Sequence, residues 1–209
     1  MRPVTAVIFD CDGVLFDSRQ ANTLFYNHIL SHFGLPPMKN GEENYVHMYT
    51  ADASIQHIFR GTGYEEQAQA YRMEMDYSPF IQDMIAEPGL MELLHALKLR
   101  FGLAIATNRS NTISDVLQRH GLEGLFDIVV SSLDVKNPKP HPECILRILR
   151  FFQITREQAI YVGDSLVDSQ TARAAGVSFV AYKNPELDAD HHVSKLMDIA
   201  DLLGISQEG

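Results

Sequence analysis

Near the N-terminus, an apolar run ends on two aspartates in Val7–Ser18, VIFDCDGVLFDS. Carboxylates tolerate burial badly unless something pairs with them. Asp10 and Asp12 therefore call for a compensating charge at the end of what reads as a core strand. Three later apolar runs are also followed directly by polar chemistry. LAIA (Leu103–Ala106) leads into Thr107-Asn108-Arg109, and AIYV (Ala159–Val162) into Gly163-Asp164-Ser165-Leu166-Val167-Asp168. After DIVV (Asp127–Val130), a loop carries VKNPKPHPE, with Lys136 and Lys139. Singly, each piece has a plain explanation: a turn, a helix cap, a solvated lysine or first-turn acids that favour a helix dipole. Their joint order is harder to attribute to chance, because successive strand ends would deliver acids, a hydroxyl, a lysine and more acids to one rim. In an open parallel sheet, ligands bind beyond the carboxyl ends of the strands.

The elements needed to position these groups follow from periodicity. Five apolar segments read as strands: the four above, taken from Val4 for the first, and Ser178–Ala181. Nearly continuous apolar runs suit strands buried on both faces of a parallel sheet. Helical stripes lie between the later strands: Ile113, Val116, Leu117 and His120; Ile145, Leu146, Ile148, Leu149 and Phe152; and Leu166, Ala172 and Ala175. A final amphipathic segment, Val193–Leu203, is expected to pack against the sheet edge. This alternation predicts an α/β fold, a Rossmann-like three-layer core with a mostly parallel sheet. One connection breaks the rhythm. The chain from Phe9 to Leu103 is far longer than a normal βα link. Pro88-Gly89 and a following helix return it to the sheet, leaving residues 17–85 as a small inserted α-helical cap on a core formed by residues 1–16 and 86–209. The insert should begin with a helix capped by Asp17 or Ser18, with Ala21, Leu24, Phe25, Ile29 and Phe33 on one face. Its two crossings to the core would serve as the hinge.

These residues resemble the motifs of the haloacid dehalogenase superfamily of phosphotransferases over nearly the whole chain. FDCDGVLFDS is similar to that family's first motif, IATN to the second, PKPHPE to the third and YVGDSLVDSQTARAAG to the fourth. The insertion after the first strand resembles the helical cap of the family's first cap class, in the branch of phosphoglycolate phosphatases and β-phosphoglucomutases. The resemblance implies a Mg²⁺-dependent phosphatase working on a small phosphorylated metabolite through an aspartyl-phosphate. In that scheme Asp10 is the nucleophile and Asp12 the general acid and base. Asp10, Asp164 and the Asp12 backbone carbonyl would ligate Mg²⁺, which takes few oxygens from protein. Lys139, Thr107 and Asn108 would bind phosphate oxygens. Asp168 would act as a ligand through water or as the acceptor that orients Lys139. The second acid at Asp12 favours phosphoryl transfer over carbon dehalogenation. A sugar phosphomutase of the same family is the alternative. A non-catalytic phospho-acceptor scaffold is the third reading, disfavoured by Asp12 and the cap.

Composition narrows the partners. The 209 residues carry a formal net charge of −10, which repels nucleic acid and anionic membranes. Two cysteines, Cys11 and Cys144, without metal-type spacing suggest a reducing compartment. The N-terminus lacks a secretory pattern, and the expectation is a cytoplasmic location. Asp188-Ala189-Asp190-His191-His192 reads as a polar surface loop, and Gly61-Thr62-Gly63 as a cap loop. Lys39 reads as a solvated lysine. The insert has four basic residues (Arg19, Lys39, Arg60, Arg72) against nine acids, so a strongly anionic leaving group is not expected.

Overall fold

The computed structural model describes residues 3–205. Its main sheet has six strands, all parallel, in the order β5-β4-β1-β6-β7-β8. They are β1 (Ala6–Phe9), β4 (Gly102–Ala106), β5 (Ile128–Val130), β6 (Ala159–Gly163), β7 (Ser178–Tyr182) and β8 (His191–Val193). The five apolar segments form five of these. The sixth corrects the surface-loop reading of 188–192. His191-His192-Val193 pairs with Val180–Tyr182, while the Asp190 carboxylate accepts from the Phe179 N–H at 2.8 Å. An exposed edge strand needs no apolar run, which is why hydrophobicity alone misses it.

Alternation along the strands sends neighbours to opposite faces. Val7, Phe9, Leu103, Ile105, Ile160 and Val162 join one core, with Leu93, Leu94 and Leu97 of α6 (Leu90–Lys98). Ile8, Ala104, Ala106, Tyr161 and Phe179 join the other, against α8 (Glu143–Phe152) and α9 (Leu166–Ala175). Each fully buried leucine contributes about 2 kcal/mol. α7 (Ile113–Arg119) follows β4, and α10 (Asp198–Leu202) packs on α6. The apolar stripes err at three positions: Leu24, Leu146 and Leu166 are exposed.

Between the first two sheet strands the chain leaves and returns side by side. β2 (Phe16–Asp17) and β3 (Ile85–Ala86) form an antiparallel pair. Five helices lie between them: α1 (Arg19–His32), α2 (Glu42–Met48), α3 (Ala51–Ile58), α4 (Glu65–Glu74) and α5 (Ser78–Ile81). Phe25 sits edge-on to Tyr26, Tyr77 and Phe80 at the centre of this unit. Ser18 is at the N-cap of α1 but makes no side-chain cap bond; its hydroxyl donates to Asp12 instead. Past β3, buried Glu87 accepts from Tyr182 Oη at 2.8 Å and pairs with Lys183 Nζ at 2.6 Å, which pins the returning strand to the core.

Candidate active site

β1 is flanked by β4 on one side and β6 on the other, so the chain order reverses there and a crevice opens at the carboxyl ends. Asp10 follows β1, Thr107 follows β4 and Asp164 follows β6. The loop after β5 brings Lys139 in from the side. Lys139 is buried, with Nζ 2.9 Å from Asp10 Oδ1 and 2.7 Å from Asp168 Oδ1. Lys136, in the same loop, is exposed.

Asp168 is fully buried and surrounded by donors. Lys139 Nζ, Tyr161 Oη at 2.6 Å, and the Ser165 hydroxyl and N–H all point at its two oxygens. Burial raises its pKa, but the Lys139 charge and these hydrogen bonds outweigh it and hold the carboxyl below its usual range. Its oxygens are spent on orienting Lys139. Lys139 in turn stays protonated: burial disfavours the charge, and Asp10 and Asp168 more than restore it. Asp10 is pushed well above the ordinary carboxylate range, first by burial and then by Asp168, with Asp164 and Asp12 adding to it against Lys139.

Asp12 is held differently. Arg109 Nε donates to its Oδ2 at 3.1 Å, and Arg109 Nη2 and the Ser18 hydroxyl reach its Oδ1. Burial raises its pKa, but the Arg109 charge and hydrogen bonds, with His47 and Ser18, bring it down to about 2. Among the described residues no donor reaches the Asp12 backbone carbonyl. Thr107 is buried, and its hydroxyl accepts from the Arg109 N–H at 3.0 Å. The Asn108 amide braces the surroundings. It bonds the Lys139 backbone at both N–H (3.1 Å) and C=O (3.2 Å), and it donates to the Met48 carbonyl of α2 at 3.0 Å. Its side chain is thereby committed, leaving its backbone N–H for any anion.

A donor set for a divalent cation is present. Atoms of Asp10, Asp164 and Asp168 lie within 4.8 Å of one another. The buried Oδ1 of Asp164 lacks a hydrogen-bond partner, while Asp10 Oδ1 faces the Lys139 ammonium at 2.9 Å. A hard carboxylate oxygen left unpaired beside a carboxyl whose pKa is already raised fits a cation such as Mg²⁺. Gly13 makes room for this: at φ 85° a Cβ would run into the Asp164 carboxylate. The insert closes the crevice into a cavity of about 60 Å³, lined by Asp10, Asp12, Thr107, Arg109 and Lys139 on the floor. Asn22, Tyr26, His47, Arg72 and Tyr77 contribute from above. Arg72 is buried, its Nε and Nη2 bound to Gln69 and Asp52, while Nη1 donates to nothing among the described residues. Arg72, counted from the sequence only among the insert's four basic residues, thus lines this cavity. Arg109 and Arg72 both escaped sequence reasoning as site residues. Arg109 adjoins Thr107-Asn108 and was findable by adjacency; Arg72 sits in a helix without a telling pattern.

With this geometry in place, comparison with known proteins becomes decisive. The profile of the haloacid dehalogenase-like hydrolases matches residues 7–182. The chain belongs to that family. A phosphoglycolate phosphatase of Rhodobacter capsulatus is 28% identical, covering 96% of this chain and 95% of its own. A pyrophosphatase of Bacillus velezensis is 27% identical and covers 97% of both. Among solved structures, a hydrolase of the superfamily's subfamily IA from Geobacter sulfurreducens is 40% identical. It has a TM-score of 0.84 and covers 95% of this chain and 99% of that one. This hydrolase is a phosphatase with a Rossmann-like core, and among its described residues no helix is long and apolar enough to cross a membrane.

Proposed function

We propose that the enzyme hydrolyses the phosphate ester of a small hydroxy acid, of the phosphoglycolate type, by Mg²⁺-dependent transfer to Asp10. The observation that carries this reading is one cavity in which Asp10, Thr107 and Lys139 share walls with buried Arg72 and the shielded side chain of Arg109. About 60 Å³ is room for roughly four to six waters. That suits a phosphoryl group with a short tail better than a hexose, so the mutase alternative loses ground. The phosphoglycolate phosphatase named above fits this substrate class; the pyrophosphatase shares the phosphoryl group but not the hydroxy acid.

Asp10 and Asp164, with the Asp12 carbonyl, would hold the cation. When bound, Mg²⁺ offsets the repulsion between carboxylate and phosphate. An Asp10 oxygen attacks phosphorus as the bond to the leaving oxygen breaks, giving an acyl phosphate. Once Arg109 has turned away and the Asp12 carboxylate has taken up a proton from solvent, Asp12 delivers that proton to the leaving oxygen and later takes one from the water that attacks the acyl phosphate. Lys139, fixed by Asp168, and the Thr107 hydroxyl steady the phosphoryl oxygens. Both Asp12 oxygens are tied to Arg109 before substrate enters, so Arg109 must turn away first. A carboxylate on the leaving group offers it a new partner, and Arg72 Nη1 a second donor. Residues 17–85 would act as a cap over a core of 1–16 and 86–209, moving on the β2–β3 pair.

A panel of phosphoglycolate, ethyl phosphate, pyrophosphate and glucose 6-phosphate tests this, with Mg²⁺ and with chelator, on wild type and Asp10→Asn. Phosphoglycolate should lead, chelator should stop turnover, and Asp10→Asn should fold without activity. Preference for the hexose phosphate, or full activity in Asp10→Asn, would overturn the reading.

A further inference from the structure

His47 belongs to α2 of the insert, yet its side chain is only 2% exposed. Both Nδ1 and Nε2 are shielded from solvent and without a hydrogen-bond partner. A neutral imidazole carries one donor and one acceptor, and buried polar groups are almost always satisfied. Two orphaned nitrogens on one ring therefore point to something they are built to meet. The neighbours say what. Asp164 Oδ1 is likewise buried and without a hydrogen-bond partner. His47 Nε2 stands 3.6 Å from Asp164 Oδ2, too far for a direct hydrogen bond. The donor atoms of Asp10, Asp164 and Asp168 lie within 4.8 Å of one another, and His47 lines the same cavity as Asp10. The next residue, Met48, is tied to the floor through the Asn108 amide. α2 is thereby set down over the carboxylates when the insert is closed.

We propose that His47 is the insert's contact to the metal site, its imidazole hydrogen-bonding a water carried by the divalent cation at Asp10 and Asp164. This rests on the metal-dependent reading given above. Small hard cations keep several of their waters, and partners in that outer layer change metal affinity by roughly 10–100-fold. Because His47 reaches the site only from the insert, cation binding and closure favour each other, and the coupling is reciprocal. His47 is thus a positioning residue that lets the insert sense whether the cation is in place.

Mn²⁺ alone is the probe, with free ion counted by electron paramagnetic resonance on the intact chain. Wild type, His47→Phe and His47→Gln are compared, since Gln keeps a polar group near Nε2 and Phe keeps only the shape. The expected results are a Kd at least ~10-fold weaker in His47→Phe and a Kd within ~3-fold of wild type in His47→Gln. Amide hydrogens of α2 should gain protection on Mn²⁺ addition in wild type and not in His47→Phe. Without metal, His47→Phe should melt no lower than wild type, because it removes two orphaned nitrogens. Equal Mn²⁺ affinity and equal protection in His47→Phe would overturn the inference alone, as would a lower metal-free melting point, which would assign His47 to packing. Failure of the wild type to bind Mn²⁺ would overturn the metal reading beneath it as well.

Discussion

Replacing Asp168 by alanine should destabilise the protein more than any surface change, and the size of the effect follows from its surroundings. The side chain is fully buried and takes Lys139 Nζ at 2.7 Å and Tyr161 Oη at 2.6 Å, together with the Ser165 hydroxyl and N–H. Removing one partner of a buried ion pair costs about 3–5 kcal/mol, because the other charge stays buried. Lys139 keeps Asp10 at 2.9 Å, so the loss should sit in the middle of that range, near 4 kcal/mol. At ~2–4 °C per kcal/mol for a chain of this size, the melting temperature should fall by about 8–16 °C. Asp168→Asn keeps the volume and one acceptor and should lose about half as much. Thermal and urea unfolding of both variants beside wild type is the assay, with phosphatase activity measured well below the melting point, where Lys139 set loose should cut kcat. A fall of less than ~2 °C in Asp168→Ala would refute the argument that this carboxylate is the anchor of Lys139.

Three further perturbations test separate parts of the account. Asp12 has its pKa lowered from 3.8 to about 2, so its contribution is full above pH ~4 and is lost as the pH falls toward 2. The unfolding free energy of wild type relative to Asp12→Asn should therefore shrink by about 2–3 kcal/mol across that window, and a constant difference would contradict the Arg109–Asp12 pairing. Gly13→Ala forces a Cβ against the Asp164 carboxylate at φ 85°; turnover should drop ~100-fold or more by misplaced groups, and near-wild-type turnover would show that Asp164 need not stay where it is. Arg72→Met should raise KM for phosphoglycolate ~10-fold or more while leaving ethyl phosphate nearly unchanged. An equal effect on both esters would deny Arg72 a role in reading the leaving group.

Much of the floor of the candidate site was legible because Asp10, Thr107 and Asp164 each directly follow an apolar run. β1, β4 and β6 are buried on both faces, so their ends are sharp in the sequence and Asp10, Thr107 and Asp164 stand at them. Asp168 was visible as a candidate but left with two roles. Its complete burial and four donors, Lys139 among them, fit the orienting role, and burial is not written in spacing. Asn108 was expected at phosphate from its place after a strand; that its amide also braces Lys139 and α2 is a long-range pairing that local pattern cannot announce. The insert was legible as helical and little more. Leu24 looked like core and is exposed, while Arg72, only counted among the basic residues, and His47, not singled out at all, line the cavity. Short helices packing on several sides have no single apolar stripe, so periodicity loses its meaning there. β8 was missed because an edge strand is held by backbone pairing and by Asp190 rather than by apolar side chains.

The central claim is that the Asp10 carboxylate becomes the phosphoryl acceptor. Rapid quenching during turnover of phosphoglycolate with Mg²⁺, followed by borohydride reduction and peptide mass spectrometry, reads it directly, because reduction converts an aspartyl-phosphate to homoserine. Homoserine is expected at position 10 in wild type, accumulating further in Asp12→Asn and absent when chelator is present. Turnover with no reducible group at Asp10, or with the modification on another side chain, would contradict it.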